Sequence, residues 1–237
     1  MMKCFFTSDP VLEQGINPAN GLLGRLRASV PAGSRVLFIC SDPDGYGKTD
    51  FFAAGMKACF ENSGFRFSQF ISLDHRNHLE ASQLVRQADF IILAGGHVPT
   101  QNRFFHEIRL RSLLEGFHGV LLGISAGTMN AAEVVYAHPE REGEAVDPSF
   151  RKFLPGLGLT RQMVLPHYQQ IKDDVLDGLQ VFEDIAYPDS IGRKFYALVD
   201  GSFILSEGGR ETLYGEAYLI ENGKLTQISR EDGTVRL

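Results

Sequence analysis

A serine hydroxyl acts as a nucleophile only where a base can take its proton and a third group can hold that base in its tautomer. Ser125 lies in "VLLGISAGTMNAAE", residues 120 to 133, where a hydrophobic run leads into Gly-x-Ser-x-Gly and then into small helix-forming residues. With this glycine and serine content the five-residue pattern arises by chance in roughly one such sequence in six, so its setting has to decide. That setting is a strand pattern, "GVLLGI", followed by a helix pattern, "AGTMNAAEVV", the strand-turn-helix context of a nucleophile elbow. A serine on so tight a turn takes strained backbone angles, and Gly123 and Gly127 remove side chains that would collide with the strand and helix. The turn lifts the hydroxyl above the carboxyl edge of the sheet and aims the Ala126 N–H into the same space. The alternative is a serine that merely occupies a structural turn.

Seven histidines compete for the role of base. His167, in "MVLPHYQQ", follows a short apolar run and a proline, where a strand end would present it at the same edge of the sheet. His75 and His78, in "DHRNH", read as a solvated loop, and His106 and His118 as helix-face or helix-end residues. His97, in "LAGGHVPT", also ends a buried strand and stays in contention. "DGYGKTD" (44 to 50) invites a phosphate-loop reading, but the first glycine of that motif would have to stand at Asp42. It reads better as a helix start capped by Thr49 or Asp50. "AGGHVP" lacks the third glycine of a dinucleotide loop, and the "HRNH" pair has no third ligand to make a metal site. No cofactor is called for.

The elements that must position these residues are written in the alternation of the chain. Short runs rich in β-branched and aromatic residues stand at 3 to 8, 35 to 41, 65 to 73, 89 to 96 and 119 to 125. Between them Leu22 to Val30, Thr49 to Asn62, Leu79 to Gln87 and Asn102 to Leu114 carry apolar residues at helical spacing. Continuous hydrophobic strands separated by helices predict a doubly wound α/β fold whose mostly parallel sheet is buried on both faces. After Asp200 the texture changes, and the Asn222-Gly223 pair signals a hairpin in a small C-terminal antiparallel β extension. The polar stretch from Pro139 to Phe153 predicts a functional loop. With no repeat or linker, residues 1–237 read as a single domain.

Composition bounds the partners. The chain has 237 residues, 43% hydrophobic and 22% charged, with a net charge of -6, which disfavours nucleic acid because that binding draws on clustered cations. Cys4, Cys40 and Cys59 lack metal or disulfide spacing and read as buried thiols. The first ten residues are too polar for a signal peptide, and no apolar run approaches the ~20 residues of a spanning helix. A cytoplasmic protein acting on a small molecule or peptide, without a membrane, is the expectation, with a homodimer as the assembly considered.

"ILAGGHVPTQNRFF", "LLGISAGTMNAA" and "LGLTRQMVLPHYQ" resemble, in order and spacing, the S51 peptidases, the family of dipeptidase E and cyanophycinase; the likeness runs from about Val36 to Asp200. It implies a flavodoxin-like fold related to the class I glutamine amidotransferases. It also implies Ser125 as nucleophile, His167 as general base, and an oxyanion hole from the N–H groups of Gly96 and Ala126, with Gly95 and His97 beside the substrate. Matching on "VDP" at 146 to 148 puts Glu142 at the position of the third triad member, with Glu140 and Glu144 close enough to compete. His97 stands where family members have Asn. The stretch after His167, "YQQIKDDVLDGLQ", lacks the arginines associated with an amino-terminal aspartate. Together these readings predict a serine peptidase that cleaves dipeptides or short peptides near the amino terminus. An α/β-hydrolase esterase and a non-catalytic ligand-binding protein are the competing classes.

Overall fold

The computed structural model describes residues 2–237. Five of the apolar runs form parallel strands: β1 (Lys3–Thr7), β2 (Ser34–Ile39), β3 (Phe67–Leu73), β4 (Phe90–Leu93) and β5 (Val120–Ile124). They lie side by side in the order β1-β5-β4-β2-β3. The connecting helices are α1 (Leu22–Ser29), α2 (Tyr46–Asn62), α3 (Ala81–Gln87), α4 (Val98–Glu107), α5 (Leu110–Leu114) and α6 (Ala126–Ala131).

Alternate strand residues point to opposite faces, and each face has its own core. Phe6, Ile91 and Leu121 pack with Leu84, Phe104 and Leu114 of α3, α4 and α5. Their sequence neighbours Phe5, Ile92 and Leu122 pack on the other side with Leu22 and Leu26 of α1 and Phe60 of α2. Because both faces are covered, β4 and β5 are buried along their whole length, as the continuous apolar runs demand. Among the described residues no helix is long and apolar enough to cross a membrane.

Two local expectations change. The helical pattern from Asn102 to Leu114 is two helices, α4 and α5, because Arg109 adopts a left-handed conformation (φ 53°). The helix at residues 44 to 50 begins at Tyr46 with no side-chain cap; Thr49 bonds the Asp42 carbonyl at 3.3 Å and Asp50 pairs with Arg76.

Apart from four two-residue strands in short hairpins, the further strands are β6 (Val134–Tyr136), β7 (Phe153–Pro155), β8 (Met163–Leu165), β9 (Lys194–Leu198), β10 (Phe203–Glu207), β11 (Arg210–Tyr214), β12 (Ala217–Glu221), β13 (Lys224–Ser229) and β14 (Thr234–Arg236). The expected antiparallel extension is divided between two sheets. β10, β11 and β14 continue the main sheet beyond β1, making it eight-stranded, while β8, β9, β12 and β13 form a second sheet. The β12–β13 hairpin turns at Asn222 and Gly223, both with positive φ, the conformation that Asn-Gly pairs adopt cheaply. Within the second sheet β8 and β9 run parallel, with Leu165 beside Ala197. Chain leaving their ends therefore emerges side by side.

Candidate active site

The site lies where β4 and β5 end. Ser125 directly follows β5 and holds φ 47°, ψ −108°, a sparsely populated conformation that costs about 1–3 kcal/mol and must be imposed by its surroundings. Its N–H is held between the carbonyls of Thr7 (3.1 Å) and Ser8 (3.2 Å) at the end of β1. The flanking glycines answer the expected crowding. A Cβ on Gly127 would overlap the Leu93 carbonyl oxygen, and one on Gly123 would stand 3.0 Å from Thr128 Cα. Because the obstacle at Gly127 is backbone, Gly127→Ala is expected to destabilise the fold by about 2 kcal/mol or more, read as a lower urea midpoint; an unchanged midpoint would contradict this packing.

His167 and Asp200 come from the paired ends of β8 and β9, each two residues beyond its strand. Parallel neighbours lie about 4.8 Å apart, so residues displaced equally past their ends meet. His167 Nε2 is 2.9 Å from Ser125 Oγ, and His167 Nδ1 is 2.8 Å from Asp200 Oδ1. A carboxylate accepts but does not donate. Nδ1 therefore carries the proton, and Nε2 is left as the acceptor that faces the serine. Asp200 Oδ2 also receives the side-chain amides of Gln169 and, at 2.8 Å, Gln170.

Burial works against charge on both partners, yet their contact prevails. The hydrogen bond and charge of Asp200, with the charges of Asp9 and Glu140, leave the His167 pKa above its ordinary 6.5. The Asp200 carboxyl is held below its ordinary value by His167, Ser8 and Gln169.

The carboxylate that meets His167 in the structure is that of Asp200, and Glu142 does not reach the ring. Glu142 is exposed, and among the described residues its carboxylate makes no hydrogen bond or ion pair. The loop around it faces elsewhere: the Gly143 and Ala145 N–H groups donate to Asp177 at 2.8 and 3.0 Å. The competing acids are also occupied or crowded. Glu144 accepts from the Glu140 and Arg141 N–H groups. Glu140 is pushed up to about 7 by burial and by the charge of Glu144.

Gly95 and Gly96 pass beside the serine, since a Cβ on Gly95 would stand 3.5 Å from Ser125 Cβ. Gly96 takes φ 143°, and a Cβ there would collide with Ser41 Oγ, so only glycine fits. Among the described residues neither the Gly96 nor the Ala126 N–H donates to a backbone acceptor. His97 is not available as a base. Its Nδ1 meets Thr100 Oγ1 at 2.7 Å and its Nε2 meets Glu144 Oε1 at 2.8 Å, an arrangement that ties the 139 to 153 loop to the turn carrying Gly96.

Among the described residues no cluster of acids, histidines and cysteines could hold a metal ion. All three cysteines are free, Cys4 and Cys40 buried and Cys59 partly so, and burial pushes the Cys4 and Cys40 thiols up to about 12, which makes them inert. Asp200 is the carboxylate beside His167 that patterns around the serine do not reveal. Its signal was "FYALVDG", a buried strand that ends in a turn, the same placement that singled out Ser125 and His167.

Comparison with known proteins agrees with this architecture. No curated protein matches the sequence. A peptidase from an acI-B1 Actinobacterium is similar in structure with a TM-score of 0.63 and 15% identity, over 99% of this chain and 96% of that one. A candidate peptidase E protein from Listeria monocytogenes EGD-e is similar with a TM-score of 0.62 and 17% identity, over 97% of this chain and 100% of that one. At such identities the likeness is one of fold: mixed α/β with a large, mostly parallel sheet. The model of peptidase family S51 matches residues 19–214, and the chain belongs to that family.

Proposed function

We propose that the protein is a serine peptidase that hydrolyses dipeptides or short peptides through Ser125, His167 and Asp200. The observation that carries this reading is the unbroken hydrogen-bond chain from Ser125 Oγ through the His167 ring to Asp200, set on a strained turn. In this reading the Ser125 proton passes to His167 Nε2 as Oγ bonds to the amide carbon. The Gly96 and Ala126 N–H groups hold the oxyanion, whose stabilisation is commonly the largest single contribution to such catalysis. His167 then gives the proton to the leaving nitrogen as the carbon–nitrogen bond breaks. Water, deprotonated by the same nitrogen, releases the acyl group and restores the serine. Asp200 stays ionised and steadies the imidazolium that forms.

Small substrates suit a hydroxyl at the end of a sheet with the 139 to 153 loop tied down beside it through His97 and Glu144. Arg103 and Arg141 act on His97, but the charges that act on His167 itself are negative. Asp9, Asp200 and Glu140 all act on His167 through their charges, so acidic residues flanking the scissile bond are disfavoured. Hydrolysis of X-Leu dipeptides is therefore expected to be slowest for X = Asp in a panel of neutral and basic X; fastest turnover of Asp-Leu would reverse this assignment. Free thiols fit a cytoplasmic location.

The raised His167 pKa sets the pH dependence. The base works only when neutral, so activity is lost as pH falls through the raised value. The acid limb of kcat/KM between about pH 5 and 9 should therefore inflect above 6.5, and Asp200→Asn should move it down. An inflection below 6.5 in the wild type would contradict the pairing.

A further inference from the structure

The segment that ends β1 touches the ends of β5, β8 and β9, and the proposed chemistry does not use it. Thr7 Oγ1 donates to the Gly123 carbonyl at 2.7 Å, and Thr128 Oγ1 donates back to the Thr7 carbonyl at 2.8 Å. With the Ser125 N–H shared between Thr7 and Ser8, the elbow is fastened to β1 on both sides. On the other flank the Ser8 N–H donates to the Ser202 carbonyl at 3.3 Å, and the Gly201 N–H donates to the Asp9 carbonyl at 3.0 Å. These bonds fasten the Asp200 turn to Ser8 and Asp9.

Ser8 stands at the centre. Its side chain is fully buried. Its hydroxyl donates to Asp200 Oδ1 at 2.6 Å and accepts the backbone N–H of His167 at 2.7 Å. Oδ1 is the same oxygen that faces the His167 ring, so one hydroxyl grips the carboxylate and the backbone of the base together. The grip matters because His167 is itself in a left-handed conformation, φ 59° and ψ 33°, which a side-chain-bearing residue holds only when its surroundings impose it. A partly buried N–H without an acceptor is costly, and among the described residues the Ser8 hydroxyl is the acceptor for the His167 N–H. Alanine at position 8 would leave that N–H orphaned and deprive Oδ1 of a donor.

We propose that Ser8 is a positioning residue, whose hydroxyl holds His167 and Asp200 as one unit in line with Ser125. The inference rests on the peptidase reading for its kinetic consequences but not for its geometry. Small misplacements of a catalytic group cost up to about 100-fold in rate. Ser8→Ala should accordingly lower kcat about 10- to 100-fold with little change in KM, at temperatures well below its unfolding midpoint. Thr and Val are nearly isosteric, so any cost of an added methyl is common to both. Ser8→Thr, which keeps the hydroxyl, should exceed Ser8→Val about tenfold. In an Asp200→Asn background, where the unit is already broken, Ser8→Ala should cost less than about threefold more, since residues acting as a unit are not additive.

A readout independent of substrate completes the test. The His167 Nδ1 proton, bonded to Asp200, should give a low-field proton resonance, assigned by its loss in His167→Ala. It should broaden or vanish in Ser8→Ala and persist in Ser8→Thr. An unchanged resonance in Ser8→Ala, equal activities of the Thr and Val variants, or full multiplication of the two costs would overturn the proposal. Absence of wild-type turnover and of labelling at Ser125 would instead remove the peptidase reading, and the resonance would still decide the role of Ser8.

Discussion

Ser125→Ala and His167→Ala are each expected to lower kcat/KM on the best member of a panel of X-Leu dipeptides and para-nitroanilides by at least ~10³-fold. In the proposed mechanism, removing the hydroxyl removes the atom that forms the acyl bond. Removing the imidazole takes away the base that contacts the hydroxyl, and His97, which also follows a buried strand, has both nitrogens engaged by Thr100 and Glu144. The two losses share one mechanism, so the double variant should be scarcely worse than either single one. What remains should come from the oxyanion donors and from substrate binding, which neither substitution touches. Multiplication of the two losses would mean that Ser125 and His167 act separately, against the 2.9 Å contact between them.

The second large effect separates two acids. Asp200→Asn keeps the size and position of the side chain but replaces an acceptor with an amide that can donate, which favours the tautomer with the proton on Nε2 and points it at the serine. A cost of ~10³- to 10⁴-fold in kcat is expected by analogy with the same change in other serine triads. Glu142→Gln, at an exposed residue with no partner among the described residues, should change kcat less than about twofold. Equal and large losses in both variants would require the 139 to 153 loop to rearrange so that Glu142 reaches His167 during turnover. Circular dichroism and unfolding midpoints of the two variants separate chemical loss from loss of fold.

The legible parts of this fold were those in which one local rule dominates. β4 and β5 are buried on both faces, so their sequences carry unbroken apolar runs, and the turn at Ser125 needs two glycines whose spacing is fixed by strand and helix. The Asn222-Gly223 hairpin was equally plain, because its backbone angles suit few other pairs. What escaped depended on contacts distant in sequence. The break between α4 and α5 rests on one left-handed arginine, Arg109, a conformation that residue type does not announce. The carboxylate partner of His167 is set by the parallel pairing of β8 with β9, which places residue 200 beside residue 167. No spacing rule around the serine can reveal that pairing. Glu142 is implied by matching the family's loop motif at 146 to 148, whereas the carboxylate beside His167 is set by strand order within a sheet. Ser8 was hidden for the same reason: it is 159 residues from His167 in the chain, and an isolated serine after a strand carries no mark of its hydrogen bonds.

The central claim is that Ser125 is an activated nucleophile. Its most direct test is reaction of the purified protein with a fluorophosphonate probe, followed by mapping of the modified peptide by mass spectrometry. The account predicts a single covalent adduct on the peptide carrying Ser125, formed faster as pH rises through the His167 titration and absent from Ser125→Ala and from His167→Ala. No adduct on the folded wild-type protein, or an adduct on another residue that persists in Ser125→Ala, would contradict it.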